Sequence, residues 1–166
     1  MSQNLIISHY ILSIEQMDKY INDLSDEDIK KVFAPMNCIG WLLGHCSFYN
    51  YSISNKINGD DIPEDAKNYM NGSPHSTPDL DFIKNLWSDS VKKAKLSLST
   101  VEENDLKNKI TAEFKHNGDL EKINLGTDIS RLIFHLWNHL GEIASVRQLL
   151  GKNPGNPGYG KWDWRF

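Results

Sequence analysis

Residues 127–151 read TDISRLIFHLWNHLGEIASVRQLLG, and placing them at 100° intervals gathers Leu132, Leu136, Leu140, Ile143 and Leu150 into one apolar arc. Thr127 opens the stretch, and Gly151, suited to a left-handed position just past a helix end, closes it. His135 and His139 stand at i and i+4, so they share a face, and both fall on one edge of the arc beside Asp128, Arg131 and Glu142. A helix with one apolar arc must bury it against other elements, so the search for the fold becomes a search for partner helices.

Three further stretches carry the same period. One runs from about Asn4 to Leu24, with Leu5, Ile6, Tyr10, Ile14, Met17 and Ile21 on one face, and Ser25 followed by Asp26, Glu27 and Asp28 reads as the cap of a short turn after it. A second runs from about Met36 to Ile57, its arc centred on Ile39, Leu42, Cys46 and Ile53. The third takes Thr77 as N-cap and Pro78 as its first helical residue, then continues through Phe82, Leu86, Trp87, Val91 and Leu98. No stretch alternates persistently at period two. The expectation is all-α, a four-helix bundle. Gly59, Pro63, Gly72 and Pro74 make 58–76 a long, irregular connection, which lets the second and third long helices run parallel across a crossover. The polar stretch 102–126 stays unassigned beyond a short extension and a turn at His116, Asn117 and Gly118. A bundle domain over 1–152 and a strap over 153–166 follow, the strap rich in Gly and Pro and carrying Trp162, Trp164 and Phe166 for packing on the bundle or a second subunit.

The 166 residues, 39% hydrophobic and 24% charged, suffice for one core without disulfides or a structural metal, so a metal here would serve chemistry. A net charge of -4 and the absence of a dense Lys/Arg run argue against nucleic acid as a partner. No run is apolar enough for a membrane span and Met1 to Tyr10 lacks the pattern of a secretion signal, so a cytoplasmic location is expected. Cys38 and Cys46 would sit about 12 Å apart along a helix, outside disulfide range, and read as reduced thiols.

Two imidazoles one turn apart can converge on a cation at roughly 2.0–2.1 Å per zinc–nitrogen bond. By itself the pair is a weak signal, equally compatible with a chance pair on a half-exposed surface. His45 sharpens it, because on its own helix it too falls at the edge between core and solvent, among Cys38, Trp41, Tyr49 and Ser52. Two such helices in one bundle can supply three nitrogens to one side of an ion and leave a coordination position open. His9, His75 and His116 have weaker claims, the last two lying in Gly/Pro/Asn-rich connections.

NCIGWLLGH at 37–45, followed some ninety residues later by HLWNHLGEIASVRQLLG at 135–151, resembles the DinB/YfiT-like superfamily. The resemblance spans most of the chain and lies in the order and spacing of its pieces. It implies a bundle with an up-down-down-up course, a divalent metal held by His45, His135 and His139, and frequently a homodimer. Zinc is the first choice of ion, with nickel, iron and manganese as others. It further implies a metal-dependent enzyme that either activates a low-molecular-weight thiol for S-transfer or acts as a hydrolase on a small-molecule substrate.

Departures bound that reading. HLWNH is not HExxH, since Leu136 replaces the general-base glutamate of metalloproteases, so peptide hydrolysis by that route is disfavoured. Glu142, one turn past His139, reads better as an acceptor for a ligand's N–H than as a base. Arg131 can bind a substrate carboxylate or pair with Asp128, Tyr49 and Trp41 can line a pocket or pack in the core, and Cys38 is a minor candidate for a soft ligand. The rival reading is a non-catalytic bundle for interaction or stress sensing, whose histidines bind metal incidentally or not at all.

Overall fold

The computed structural model describes residues 4–116 and 119–153, with the side chains of 111–122 left aside. The proposed aromatic strap therefore lies outside the described residues from 154 onward. Helix α1 spans Leu5–Ile21, α2 Asp26–Lys30, α3 Ile39–Asn58, α4 Glu64–Lys67, α5 Leu80–Ser99 and α6 Leu125–Leu149. Between α5 and α6 stand a 3-10 turn at Asp105–Lys107 and two antiparallel strands, β1 Lys109–His116 and β2 Asp119–Asn124. The molecule is mostly helical, as the periodicity requires.

Local chemistry sets the ends. Ser25 accepts from the Asp28 N–H while the Asp28 carboxylate accepts from the Ser25 N–H, a complete capping box for α2. Asn4 caps α1 and Asn124 caps α6, so α6 begins two residues before the expected Thr127, while Gly151 takes the left-handed φ of 73° expected of it. The expected Thr77-Pro78 start of α5 is displaced to Leu80, whose N–H donates to the Asp26 carboxylate 2.9 Å away. A tertiary cap thus replaces the local one, and Pro78 packs against Gly40 of α3 instead. Two apolar faces also turn by a residue. Ile7 is buried where Leu5 and Ile6 are only partly covered, and Ile83 is buried while Phe82 is 40% exposed.

Helix α3 is buried almost all round and packs most extensively on α5. Polar contacts join them along their length: Asn50 donates to Ser90 at 3.2 Å and the Tyr51 hydroxyl to Asp89 at 2.7 Å, and a turn further on Ser54 meets Ser97 at 2.7 Å. Rising numbers on both helices mean that the two run in the same sense, which the long 58–80 connection permits. Small Ser side chains let the helices approach while satisfying one another's hydroxyls. Against α6 the order reverses, with His45 beside His139 and Lys56 beside Asp128.

The strands correct the unassigned reading of 102–126. They flank the expected turn, pair Lys109 with Asn124 and His116 with Asp119, and slip register between Thr111 and Lys115. That irregularity is one reason the alternation was faint in the sequence. The Leu125 N–H donates to the Asn108 carbonyl and Gly126 lies against Leu106, so the base of the hairpin is fixed to the start of α6.

At the other end of α6, the buried Arg147 donates to the Tyr20 carbonyl at 2.7 Å, to both Asp23 oxygens at 2.6 and 3.0 Å, and to the Asn153 carbonyl at 2.7 Å. The guanidinium holds the Asp23 carboxyl below its ordinary range. Arg147→Met keeps the apolar stem and removes the bonds, and is expected to cost roughly 2–3 kcal/mol in urea unfolding at neutral pH. A cost under about 0.5 kcal/mol would mean that water replaces these bonds without loss.

Candidate metal centre

Packing α3 against α6 brings the three histidines together. One ligating nitrogen from each of His45, His135 and His139 lies within 4.8 Å of the other two, and this is the group of metal-ligating side chains found among the described residues. The ring centroids stand 5.1 Å apart for His45 and His135, 4.9 Å for His45 and His139, and 4.4 Å for His135 and His139. His45 and His139 are buried and His135 partly so.

The hydrogen bonds fix two tautomers. The Tyr69 carbonyl, 2.6 Å from His45 Nδ1, can only accept, so Nδ1 carries the proton and Nε2 keeps its lone pair. His139 Nδ1 likewise donates to the Glu142 carboxylate at 2.6 Å. His139 Nε2 then meets His135 Nε2 at 2.9 Å, so without a cation His135 must donate there, and its Nδ1 is a buried nitrogen with no hydrogen-bond partner. Two imidazoles with their outer N–H groups anchored on oxygen and their inner lone pairs converging form the donor set that divalent zinc takes from histidine. The residues therefore fit such an ion.

Burial favours the uncharged form of His45 and His135. It is the main force lowering the pKa of His45, helped by repulsion from His139 and opposed by the Tyr69 carbonyl and Glu142. His135 is pushed down to about 3, by burial first and then by His139, His45 and Arg131. Trp41 stacks on His45 at 4.9 Å with 17° between the planes, and Tyr49 presents its edge to His45 and His135 at 5.0 and 4.4 Å.

A cleft of about 780 Å³ reaches His135. Phe48, Tyr49, Met70, Leu132 and Phe134 make its apolar walls, and Lys56, Asp128 and Arg131 its charged end. Asp128, itself buried, holds Lys56 at 2.8 Å and lies 4.0 Å from Arg131. Of the sequence candidates, Tyr49 and Arg131 face the cleft and Glu142 touches His139. Cys38 is drawn elsewhere: its sulfur accepts from the Trp41 N–H that caps α3 and donates to the Ser76 carbonyl. Both cysteines are buried and free. His75 bonds Asn37, and neither it nor His9 joins the group of three, while the His116 side chain lies outside the described residues.

Two participants escaped the sequence reading. Lys56 stands three helical turns beyond His45, on the same face, a spacing that would have revealed it. Tyr69 lies in the irregular connection and gave no local signal.

Comparisons agree with this architecture. The family model described as the DinB superfamily matches residues 9–143. A crystal structure of a DinB-like protein from Bacillus cereus ATCC 10987 superimposes with a TM-score of 0.69 at 17% identity, covering 94% of this chain and 99% of that one. A conserved protein from Enterococcus faecalis superimposes with a TM-score of 0.66 at 15% identity, covering 89% of this chain and 96% of that one. At these identities the likeness speaks to fold. Comparison with curated proteins gives no match.

The depressed histidines make metal-free stability depend on pH. The unfolded chain takes up protons near pH 6.5 that folded His45 and His135 refuse, so stability is full above that value and declines as pH falls through it towards about 3. In chelator, the urea midpoint is expected to drop between pH 7.5 and 5.5, and His135→Gln to lessen the drop. A midpoint that rises on acidification would contradict the burial of neutral rings.

Proposed function

The chain belongs to the DinB superfamily, and from that premise we propose a divalent-metal-dependent enzyme in which His45, His135 and His139 hold one ion beside the cleft. The substrate is a small molecule, and the reaction is S-transfer from a low-molecular-weight thiol or hydrolysis. The observation that carries the reading is the junction of the two features: His135 belongs both to the imidazole group and to the wall of an apolar cleft, so whatever enters the cleft meets one of the three rings that would hold the ion. Such an ion, when bound, supplies Lewis acidity that lowers the pKa of a thiol or water, so a nucleophile exists at neutral pH without a side-chain base.

The chain's own residues do the rest. Glu142 and the Tyr69 carbonyl orient their histidines, while Phe48, Leu132 and Phe134 receive the apolar body of a substrate. Arg131, on the cleft wall a turn from His135, takes an acidic group of the substrate or thiol. Leu136, in the place a metalloprotease gives its glutamate, is 1% exposed and belongs to the core. No helix among the described residues is long and apolar enough to cross a membrane, and two free cysteines suit a reducing cytoplasm.

Elemental analysis of protein purified without chelator is expected to find one divalent ion per chain. Glu142→Gln should weaken metal affinity roughly 10-fold and His139→Ala at least 100-fold, and a screen of thiols with an electrophilic acceptor should lose turnover in step. Equal metal content and equal turnover in wild type and His139→Ala would refute the proposal.

A further inference from the structure

Gly44 immediately precedes His45, and a Cβ added to it would lie 2.5 Å from two ring atoms of Tyr69 and 2.8 Å from a third. The Tyr69 ring is thus seated on the bare backbone of α3, while the carbonyl of the same residue receives the His45 Nδ1 proton. We infer that Gly44 and Tyr69 form a positioning pair for His45: the ring's seat holds the carbonyl in place, and the carbonyl decides which nitrogen of His45 faces its two partner imidazoles. The consequence for metal affinity rests on the function proposed above, whereas the effect on the tautomer does not.

Neighbouring contacts leave the ring little room to yield. Tyr69 is only 5% exposed and its hydroxyl bonds Ser76. The segment from Tyr69 to Pro78 lies along the first half of α3 in the opposite sense. Trp41 donates to the Pro74 carbonyl at 3.1 Å, Cys38 to the Ser76 carbonyl at 3.3 Å, and Pro78 would stand 3.0 Å from a Cβ on Gly40. Restoring ordinary contact at Gly44, from 2.5 to 3.4 Å, needs a shift of about 0.9 Å, enough to stretch the 2.6 Å bond to His45 beyond useful length. Trp41, stacked on the face of His45, restrains the ring's plane but leaves the proton's position to the carbonyl.

Alanine is ordinarily the better residue inside a helix, so Gly44→Ala should stabilise α3 unless the seat matters. The test reads the ¹⁵N shifts of the His45 imidazole in metal-free protein, together with zinc affinity by chelator competition. Wild type should show protonated Nδ1 alone. Gly44→Ala should show a tautomer mixture and bind zinc 10- to 100-fold more weakly, Tyr69→Phe should match wild type within about twofold, and Gly44→Ala with Tyr69→Ala should be no worse than Tyr69→Ala alone. A Gly44→Ala protein with wild-type tautomer and affinity would overturn the inference. Should Gly44→Ala not fold, Tyr69→Ala decides by the same shifts, since the carbonyl remains and only its anchor is gone; an unchanged tautomer there overturns it equally. If wild type binds no zinc, the proposed function fails, and the shifts still judge the positioning pair.

Discussion

Three imidazole rings with centroids 4.4–5.1 Å apart, largely withdrawn from water, can share that space while they stay neutral or divide one cation between them. A proton on His45 or His135 would place a charge in surroundings that solvate it poorly. Much of the molecule can be understood from this constraint. Anchors outside the cluster take the outer N–H groups of His45 and His139, so the inner lone pairs are committed to one point. The cost of gathering unsolvated nitrogens is offset by a core that closes around them, from Ile39 and Leu43 on α3 to Leu136 and Ile143 on α6.

Holding that point steady requires that α3 and α6 keep their relative height. The ion pair between Lys56 and the buried Asp128 secures them three turns from His45, and Arg147 ties the far end of α6 to α1. On its other side α3 is gripped by α5 through hydroxyls and amides, which a greasy interface would not fix in register so closely. The same Lys56 and Asp128 help shape the end of the cleft, so the residues that keep the helices in place also give the site its polarity.

How far this was legible in the sequence depends on where each signal lies. The i, i+4 spacing of His135 and His139 and the edge position of His45 are properties of single helices, and periodicity alone revealed them. The cap at Ser25 and the left-handed Gly151 were equally local. What the periodicity could not reveal was tertiary. Leu80 is capped by a carboxylate from α2, the Gly44 side of α3 is covered by a connection with no period of its own, and the strands pair with a register slip that blurs alternation. Phe82 shows the same limit from the other side, since its place on the apolar arc was correct to one residue and one residue carries it into solvent.

The claim that His45, His135 and His139 share one ion can be tested directly by X-ray absorption at the metal edge of zinc-loaded protein. The account predicts three imidazole nitrogens at about 2.0–2.1 Å, with the outer-ring scattering that identifies imidazole, plus one further light donor from solvent. A shell containing sulfur, or one with fewer than three imidazoles, would contradict it.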